Sequence, residues 1–566
     1  MGDDSFSKNG FLFLLINVHV CNIYWKRTEQ MDLEKLLKNV QEILADVDND
    51  AKFDNLSNEE IYVPSIQVQG RNVYFDLHHV NEKGYTEKTL VVYEDKLSIG
   101  DFVADERLDH GQRALIFAQQ TEPNYKALAK RFSWMKPTSR RDYKYSFGLG
   151  DRLGNASNAH LRFLKGKHIF PVIAQQSIRE LTLMHRTNTD VFLDAAWSVF
   201  DEGFTYGWGA EGDHVKTEYE VDYAVKVGCR TIVLDCTEVI NNNAVTLSDE
   251  ELDKQFNALD DDQKKYFNDT YLNKTFTVGD HNDAEVHFTK HDVEESVLTF
   301  YGAVLFATKI YHKFVVPYDL DFEISMDETP YSTTNPNHYF FANELHRRGI
   351  TPTTMAPRFY GEFQKAIDYI GDLDKFEHDF ELHEKIAEHF GYKLSVHSGS
   401  DKLSVYPIIG RLAKEHGWHV KTAGTHWLEA CRVIAHKDPQ LFVDMYHYAY
   451  NNLDDVKDFY VFNAQTDGNA PKPETVTVDH CQFVLADDDG RQVMHTMFGS
   501  LMNAQHNYHY VFRDKFWDVL KKNQKLYDKF LNIHLAEHID LLTGKYATKQ
   551  EALDALEPKT DIAKEY

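Results

Sequence analysis

Histidine, lysine and carboxylate side chains recur in this sequence at the ends of short apolar runs, and those types narrow the chemistry available. In GDHVK, residues 212–216, strand alternation puts His214 and Lys216 on one face and Asp213 on the other. KLSVHSGSDK, residues 393–402, sets Ser395, His397 and Gly399 on one face, with Ser400, Asp401 and Lys402 following. DFEISMDET, residues 321–329, contributes Glu323, Asp327 and Glu328, and TIVLDCTE, residues 231–238, contributes Asp235. Two imidazoles and several carboxylates brought to one place are the ligand set of a divalent ion with open coordination positions. An ion-pair network with Lys216, Lys402 and Arg358 is the competing reading, but so many inward carboxylates would repel one another without a metal. His214, Glu323 and His397 are therefore expected to hold an ion, with Asp213, Asp235 or Asp327 as a fourth group or behind the ligands. Manganese, magnesium, nickel and zinc all accept such a mixture of oxygen and imidazole.

Cations at other strand ends suggest an anionic substrate. Arg358 in MAPRF and Lys421 in VKTAGT stand near Ser398, Thr422 and Thr425, and arginine flanked by hydroxyls suits a carboxylate. Arg358, or failing that Lys421, is expected to take that carboxylate, with Gln175, Asp235, Ser398 and Thr425 as further substrate contacts. Lys216, Asp327 and Lys402 remain as groups able to move a proton. Of the C-terminal histidine-rich stretch, only Arg491 and His495 are carried forward as residues that would reach the mouth. SFGLGDRLG holds Gly148, Gly150 and Gly154, but its spacing is one residue longer than the dinucleotide fingerprint and no acid closes a following strand. It reads as a turn exposing Asp151 and Arg152.

Positioning these groups requires a scaffold that gathers strand ends. Eight runs can be read in order, at 145–152, 170–177, 206–216, 231–238, 321–329, 353–359, 393–402 and 419–427, each apolar, closed by a polar cluster and followed by helical material. Eight strands with polar carboxyl ends predict a (β/α)8 TIM-type barrel, whose active site is built at that end. The α/β barrel spans 145–440, with an inserted helical excursion at 239–315 that is too long for a simple crossover. Residues 31–144 mix one amphipathic helix with strand-like runs and read as an α+β cap, and 441–566 as a C-terminal helical region ending in a fraying tail, EALDALEPKTDIAKEY.

Composition excludes several roles. A net charge of -28 spread along the chain argues against nucleic acid or an anionic membrane as partner. Five widely spaced cysteines give no disulfide or zinc-knuckle framework and suit a reducing compartment. Residues 1–30 hold an apolar run without a basic flank or cleavage site, so they read as a gene-model extension ahead of Met31 instead of a signal peptide.

The motifs FPVIAQQSIREL, DHVKT, FEISMDETPYSTTNPNHYFFANELHRRG, MAPRFYGEFQKAIDYIGDL, KLSVHSGSDKLSVYPIIGRL and VKTAGTHWLEA, in this order, resemble those of the tagaturonate epimerase family over about 60–540. The resemblance implies a cytoplasmic, metal-dependent isomerase that interconverts D-tagaturonate and D-fructuronate, with fructose and tagatose as neutral alternatives. His426 and Trp427 depart from the smaller or tyrosine-type residue expected after AGT. The two acids differ at carbon 4, which is β to the ketone, so two routes remain: transient oxidation by a bound nicotinamide, for which no fingerprint is present, and cleavage and re-formation of the carbon 3–carbon 4 bond, which is the expected one. An aldose-ketose isomerase on the same barrel is the alternative, separated by whether the ketone moves. The small sugar acid is the only expected partner apart from further copies of the chain, whose number the sequence leaves open.

Overall fold

The computed structural model describes residues 33–49, 52–53, 56–422, 424–457, 460, 462–556 and 558–565. The expected front extension, 1–30, lies outside the described residues, as does the side chain of Thr425. Eight parallel strands close into a barrel. They are β1 Tyr145–Leu149, β2 Phe170–Ala174, β3 Gly209–Val215, β4 Thr231–Asp235, β5 Asp321–Ser325, β6 Thr354–Ala356, β7 Lys393–Val396 and β8 Trp418–Thr422. Closure runs through β8 to β1, with Val420 opposite Phe147. Every strand named from the apolar runs is present.

Ahead of the barrel, five antiparallel strands form a sheet in which Asn72–Val80 pairs with Thr86–Asp95 and the latter with Arg113–Ala118. The helix Leu33–Asp48 buries Leu36, Val40 and Ile43 beside Val73, Phe75 and Leu77 of that sheet, the i, i+4, i+7 spacing of an amphipathic helix. Between β4 and β5 the chain is not wholly helical. Asp249–Phe256, Asp261–Tyr271 and Lys290–Ile310 are helices, but Thr275–Val278 and Ala284–His287 form a hairpin whose turn includes Gly279 at φ 87°. The alternation in TFTV and AEVH carries that hairpin, and it was masked by the acidic helical sequence before it.

Beyond the barrel, helices pack on its outer face around Trp427, which stacks on Phe516 at 4.9 Å. Where the sequence suggested a fraying tail, the described residues carry a packed helix, Lys559–Glu565. Lys559 donates to Glu429 at 3.0 Å and to Glu537 at 3.3 Å, while Ile562 is the fully buried residue of the helix Lys559–Glu565. Its anchors lie 22 and 130 residues away in the chain, so the local sequence carried no sign of them.

The inside of the barrel is polar. Arg140, on the segment entering β1, is fully buried and reaches up the axis. It donates to Glu211 of β3 at 3.0 Å, to Glu323 of β5 at 2.6 Å and to Thr354 of β6 at 2.8 Å, and one of its nitrogens is 2.9 Å from His419 of β8. A buried guanidinium satisfied on this many sides ties four strands to one planar group.

Candidate active site

The site stands on top of this polar axis. β3 departs from regular pairing between Gly212 and Val215, and inside that bulge His214 adopts φ 51°. A left-handed backbone at a non-glycine residue is costly and is found where surrounding structure enforces it. The bulge breaks the alternation that put Asp213 and His214 on opposite faces, so both turn toward the mouth. Ser398 at φ 50°, just past β7, is a second such residue.

Three side chains converge. His214, Asp327 and His397 each offer one ligand atom, and these lie within 4.8 Å of one another. His397 Nδ1 is 2.9 Å from Asp327 Oδ1, and His214 Nε2 is 4.0 Å from the same oxygen. The opposite ring nitrogens are held by carboxylates: His397 Nε2 is 2.7 Å from Glu323, and His214 Nδ1 is 2.8 Å from Asp213. That is the arrangement in which a carboxylate fixes the tautomer and direction of a metal-binding imidazole.

Glu323 is thus placed behind His397 and not beside the three converging atoms, with its second oxygen taken by Arg140 and Thr354. Asp327 stands where the sequence reading had set Glu323. The buried Nδ1 of His397 makes no hydrogen bond despite its closeness to Asp327, leaving a donor atom aimed into the cluster. Two imidazoles and one carboxylate with open positions fit a divalent ion.

The charges in the floor lie close together and hold one another's protonation. Burial opposes ionisation of His397, but Asp327 outweighs it and raises the pKa to about 9. His214 is likewise raised, its burial overcome by Asp213. Burial would raise Glu323, yet Lys421 and Arg140 hold it well below the carboxylate range. Lys421 itself is raised despite burial, because Asp213, Glu211 and Glu323 surround it. An ion at His397 Nδ1 needs the neutral ring, so uptake there would release a proton.

Two adjoining cavities open on this cluster. One of about 310 Å³ is lined by Gln175, Asp213, Lys216 and Asp235, and one of about 240 Å³ by Arg358, Phe363 and Tyr460. Arg179, Asp327, Glu328, Lys365, His397 and Ser398 border both. A barrel carrying a potential metal cluster and an elongated polar cleft at its carboxyl end can bind a polyhydroxylated chain across the middle.

A family model described as tagaturonate epimerase matches residues 62–542. The chain belongs to the tagaturonate epimerase family. The tagaturonate/fructuronate epimerase of Thermotoga maritima is 34% identical over 486 residues, which cover 82% of this chain and 97% of the relative. A crystal structure of the fructuronate-tagaturonate epimerase of Cohnella laeviribosi superposes with a TM-score of 0.80 at 33% identity, covering 89% of this chain and 99% of that one. The same Cohnella enzyme has been crystallised with one and with two glycerol molecules, at the same TM-score and coverage. The relatives are epimerases, and this chain is an isomerase on an α/β barrel.

Within this epimerase fold the remaining expected residues divide. Gln175 lines the larger cavity; a Cβ on Gly148 would meet its amide oxygen at 2.0 Å, so only glycine leaves it that room. Lys216 also lines that cavity, 3.5 Å from Asp235 and 3.6 Å from Glu238. Arg358 borders the smaller one and lies 3.6 Å from Glu362. Ser398 accepts from Lys365 at 2.9 Å, and Thr422 donates to the Gly148 carbonyl at 2.7 Å.

Lys402 is not brought to the mouth. It is fully buried and donates to the carbonyls of Gln364, Ile367 and Ser400, a loop-fastening role. Arg491 clamps Ala366 and Asp401, and His495 packs by Arg152; neither lines the cleft. Asp151 and Arg152 are buried instead of exposed: Asp151 caps the turn by accepting from the Leu153, Gly154 and Ala156 amides, and Arg152 pairs with Glu180 and stacks on Phe498 at 3.8 Å. Arg140, Glu211 and Lys365 were not anticipated. Glu211 shares a face with Asp213, two residues on, which the alternation of the sequence set opposite His214, so its inward position was not legible.

Proposed function

We propose that this enzyme interconverts D-tagaturonate and D-fructuronate by inverting carbon 4, with a divalent metal ion held by His214, Asp327 and His397. The observation that carries the reading is that three-residue group at the barrel mouth in a tagaturonate epimerase family chain. The Thermotoga and Cohnella relatives bear the same substrate pair in their names. Fructose and tagatose differ at the same carbon and are expected as poorer substrates. The enzyme works in the cytoplasm on this reading, where buried thiols such as Cys236 and Cys431 suit a reducing compartment.

Carbon 4 is β to the ketone, so its hydrogen is not acidified and direct abstraction is a poor route. Breaking the bond between carbons 3 and 4 sends its electron pair toward the carbon-2 oxygen, leaving an enediolate on carbons 1 to 3 and an aldehyde at carbon 4. Turning the aldehyde to present its other face and re-forming the bond inverts the centre. A divalent ion, when held by His214, Asp327 and His397, would supply Lewis-acid stabilisation of negative charge on the substrate. Asp235 takes the proton of the carbon-4 hydroxyl as the bond breaks and returns it to the new alkoxide. Lys216, 3.5 Å away, holds that carboxylate in position. Glu323 and Asp213 keep the imidazoles in one orientation.

Product analysis with tagaturonate in heavy water tests the route: fructuronate should form with no deuterium at carbon 4, and deuterium there defeats bond cleavage as the mechanism. A chelator tests the ion. Stripped protein should lose activity and regain it with manganese, nickel, zinc or magnesium, whereas full activity in protein shown metal-free by elemental analysis rejects the metal.

A further inference from the structure

Most cations at the mouth are already committed to the chain's own carboxylates. Lys421 is held by Asp213 and lies 3.1 Å from Glu211, Lys216 is 3.5 Å from Asp235, Arg179 bonds Glu328 at 3.1 Å, and Arg358 is 3.6 Å from Glu362. Lys365 differs. Its ammonium donates at 2.9 Å to the neutral hydroxyl of Ser398, and no carboxylate among the described residues forms an ion pair with it. Burial lowers its pKa, since Glu180, Glu328 and Asp327 stand too far off to offset lost solvation and Arg179 repels it. A half-buried ammonium aimed into a cleft without its own counter-ion is incomplete until an anion arrives.

We propose that Lys365, and not Arg358, binds the substrate's carboxylate and selects sugar acids over neutral ketoses. The assignment rests on the epimerase reading above. Lys365 borders both cavities beside His397 and Asp327, whereas Arg358 borders only the smaller. Carbon 6 is two bonds from carbon 4, so the group that grips the carboxylate must sit close to the reacting carbon, as Lys365 does. It also gives the acid half a pivot. Rotation about the bond between carbons 4 and 5 turns the aldehyde over while the carboxylate stays on the ammonium, which keeps the fragment from escaping between cleavage and re-formation.

The test uses two unreactive probes of the same carbon chain, the aldonate made by reducing the substrate's ketone and the corresponding alditol, as competitive inhibitors of full-length enzyme. Lys365→Met should weaken the aldonate about tenfold to a hundredfold, the range for losing one charged hydrogen-bond partner, and move the alditol about threefold or less. Retained alditol binding reports an intact site. Lys365→Arg should keep most of the preference for the aldonate, and Arg358→Met should shift both probes alike. Equal losses on both probes in Lys365→Met, an acid-specific loss in Arg358→Met alone, or no aldonate preference in the unmodified enzyme each overturn the assignment. If Lys365→Met does not fold, Lys365→Gln against Lys365→Arg decides it: equal aldonate affinities in the two overturn the assignment, and a charge-dependent difference supports it. Failure of the unmodified enzyme to convert tagaturonate would reject the epimerase reading instead.

Discussion

Turnover of tagaturonate is expected to fall on the order of 10³-fold in His397→Ala, the scale of losing one preorganised charge-stabilising group. His397 presents Nδ1 to Asp327 and is braced through Nε2 by Glu323, so its loss removes one of the three converging atoms proposed to hold the ion and leaves a buried carboxylate facing a void. Divalent ion content after dialysis should drop with activity. Glu323→Gln keeps the shape but not the charge, and a loss of about 10- to 100-fold is expected from weakening the group behind a ligand. The order of the two variants is the decisive point. If Glu323→Gln were the more damaging and His397→Ala still bound metal, the ligand set would have to be redrawn around Glu323.

A second large effect is expected on stability. Arg140→Met removes the only guanidinium joining Glu211, Glu323 and Thr354 inside the barrel among the described residues. Breaking a buried ion network from one side costs about 3–5 kcal/mol, because the stranded carboxylates stay in a low-dielectric interior. Urea unfolding should show a lower midpoint with little change in slope. Adding Glu211→Gln and Glu323→Gln to Arg140→Met should recover part of the loss by removing the stranded charge. An unchanged midpoint in Arg140→Met would mean that Lys421, 3.1 Å from Glu211 and 3.7 Å from Glu323, suffices alone.

The barrel was legible because each run carries apolar residues, closes in a polar cluster and is followed by helical material, a local pattern repeated eight times. His214, Asp327 and His397 could be named for the same reason. What the sequence hid was set by tertiary geometry. Alternation assumed a regular β3 with Asp213 and His214 on opposite faces, and the bulge brings both to the mouth. Glu323 and Asp327 lie four residues apart at one strand end, and only the three-dimensional arrangement shows which of them lies level with the imidazoles. Arg140 sits in SRRDYKY, which reads as a solvated loop, and its insertion into the axis has no local signature. Lys365 lies in FQKAIDYI, whose spacing imitates an amphipathic helix, while the chain there is a loop shaped by Tyr369 and Asp368.

The irregularity in β3 places the imidazole by chain length more than by residue identity. Only Asp213 and His214 lie between Gly212 and Val215, so shortening this stretch by one residue would restore the alternation at the cost of one of them, and the pairing of His214 with Asp213 beside Asp327 would be lost. On the proposed function, a single-codon deletion at this point would abolish catalysis although the strand could still pair in the barrel. It also means that a sequence alignment sliding its gap by one position at this strand would credit the imidazole to a protein unable to use it. Annotation transferred across the superfamily is safest where that spacing, from glycine through histidine to valine, is preserved along with the residues.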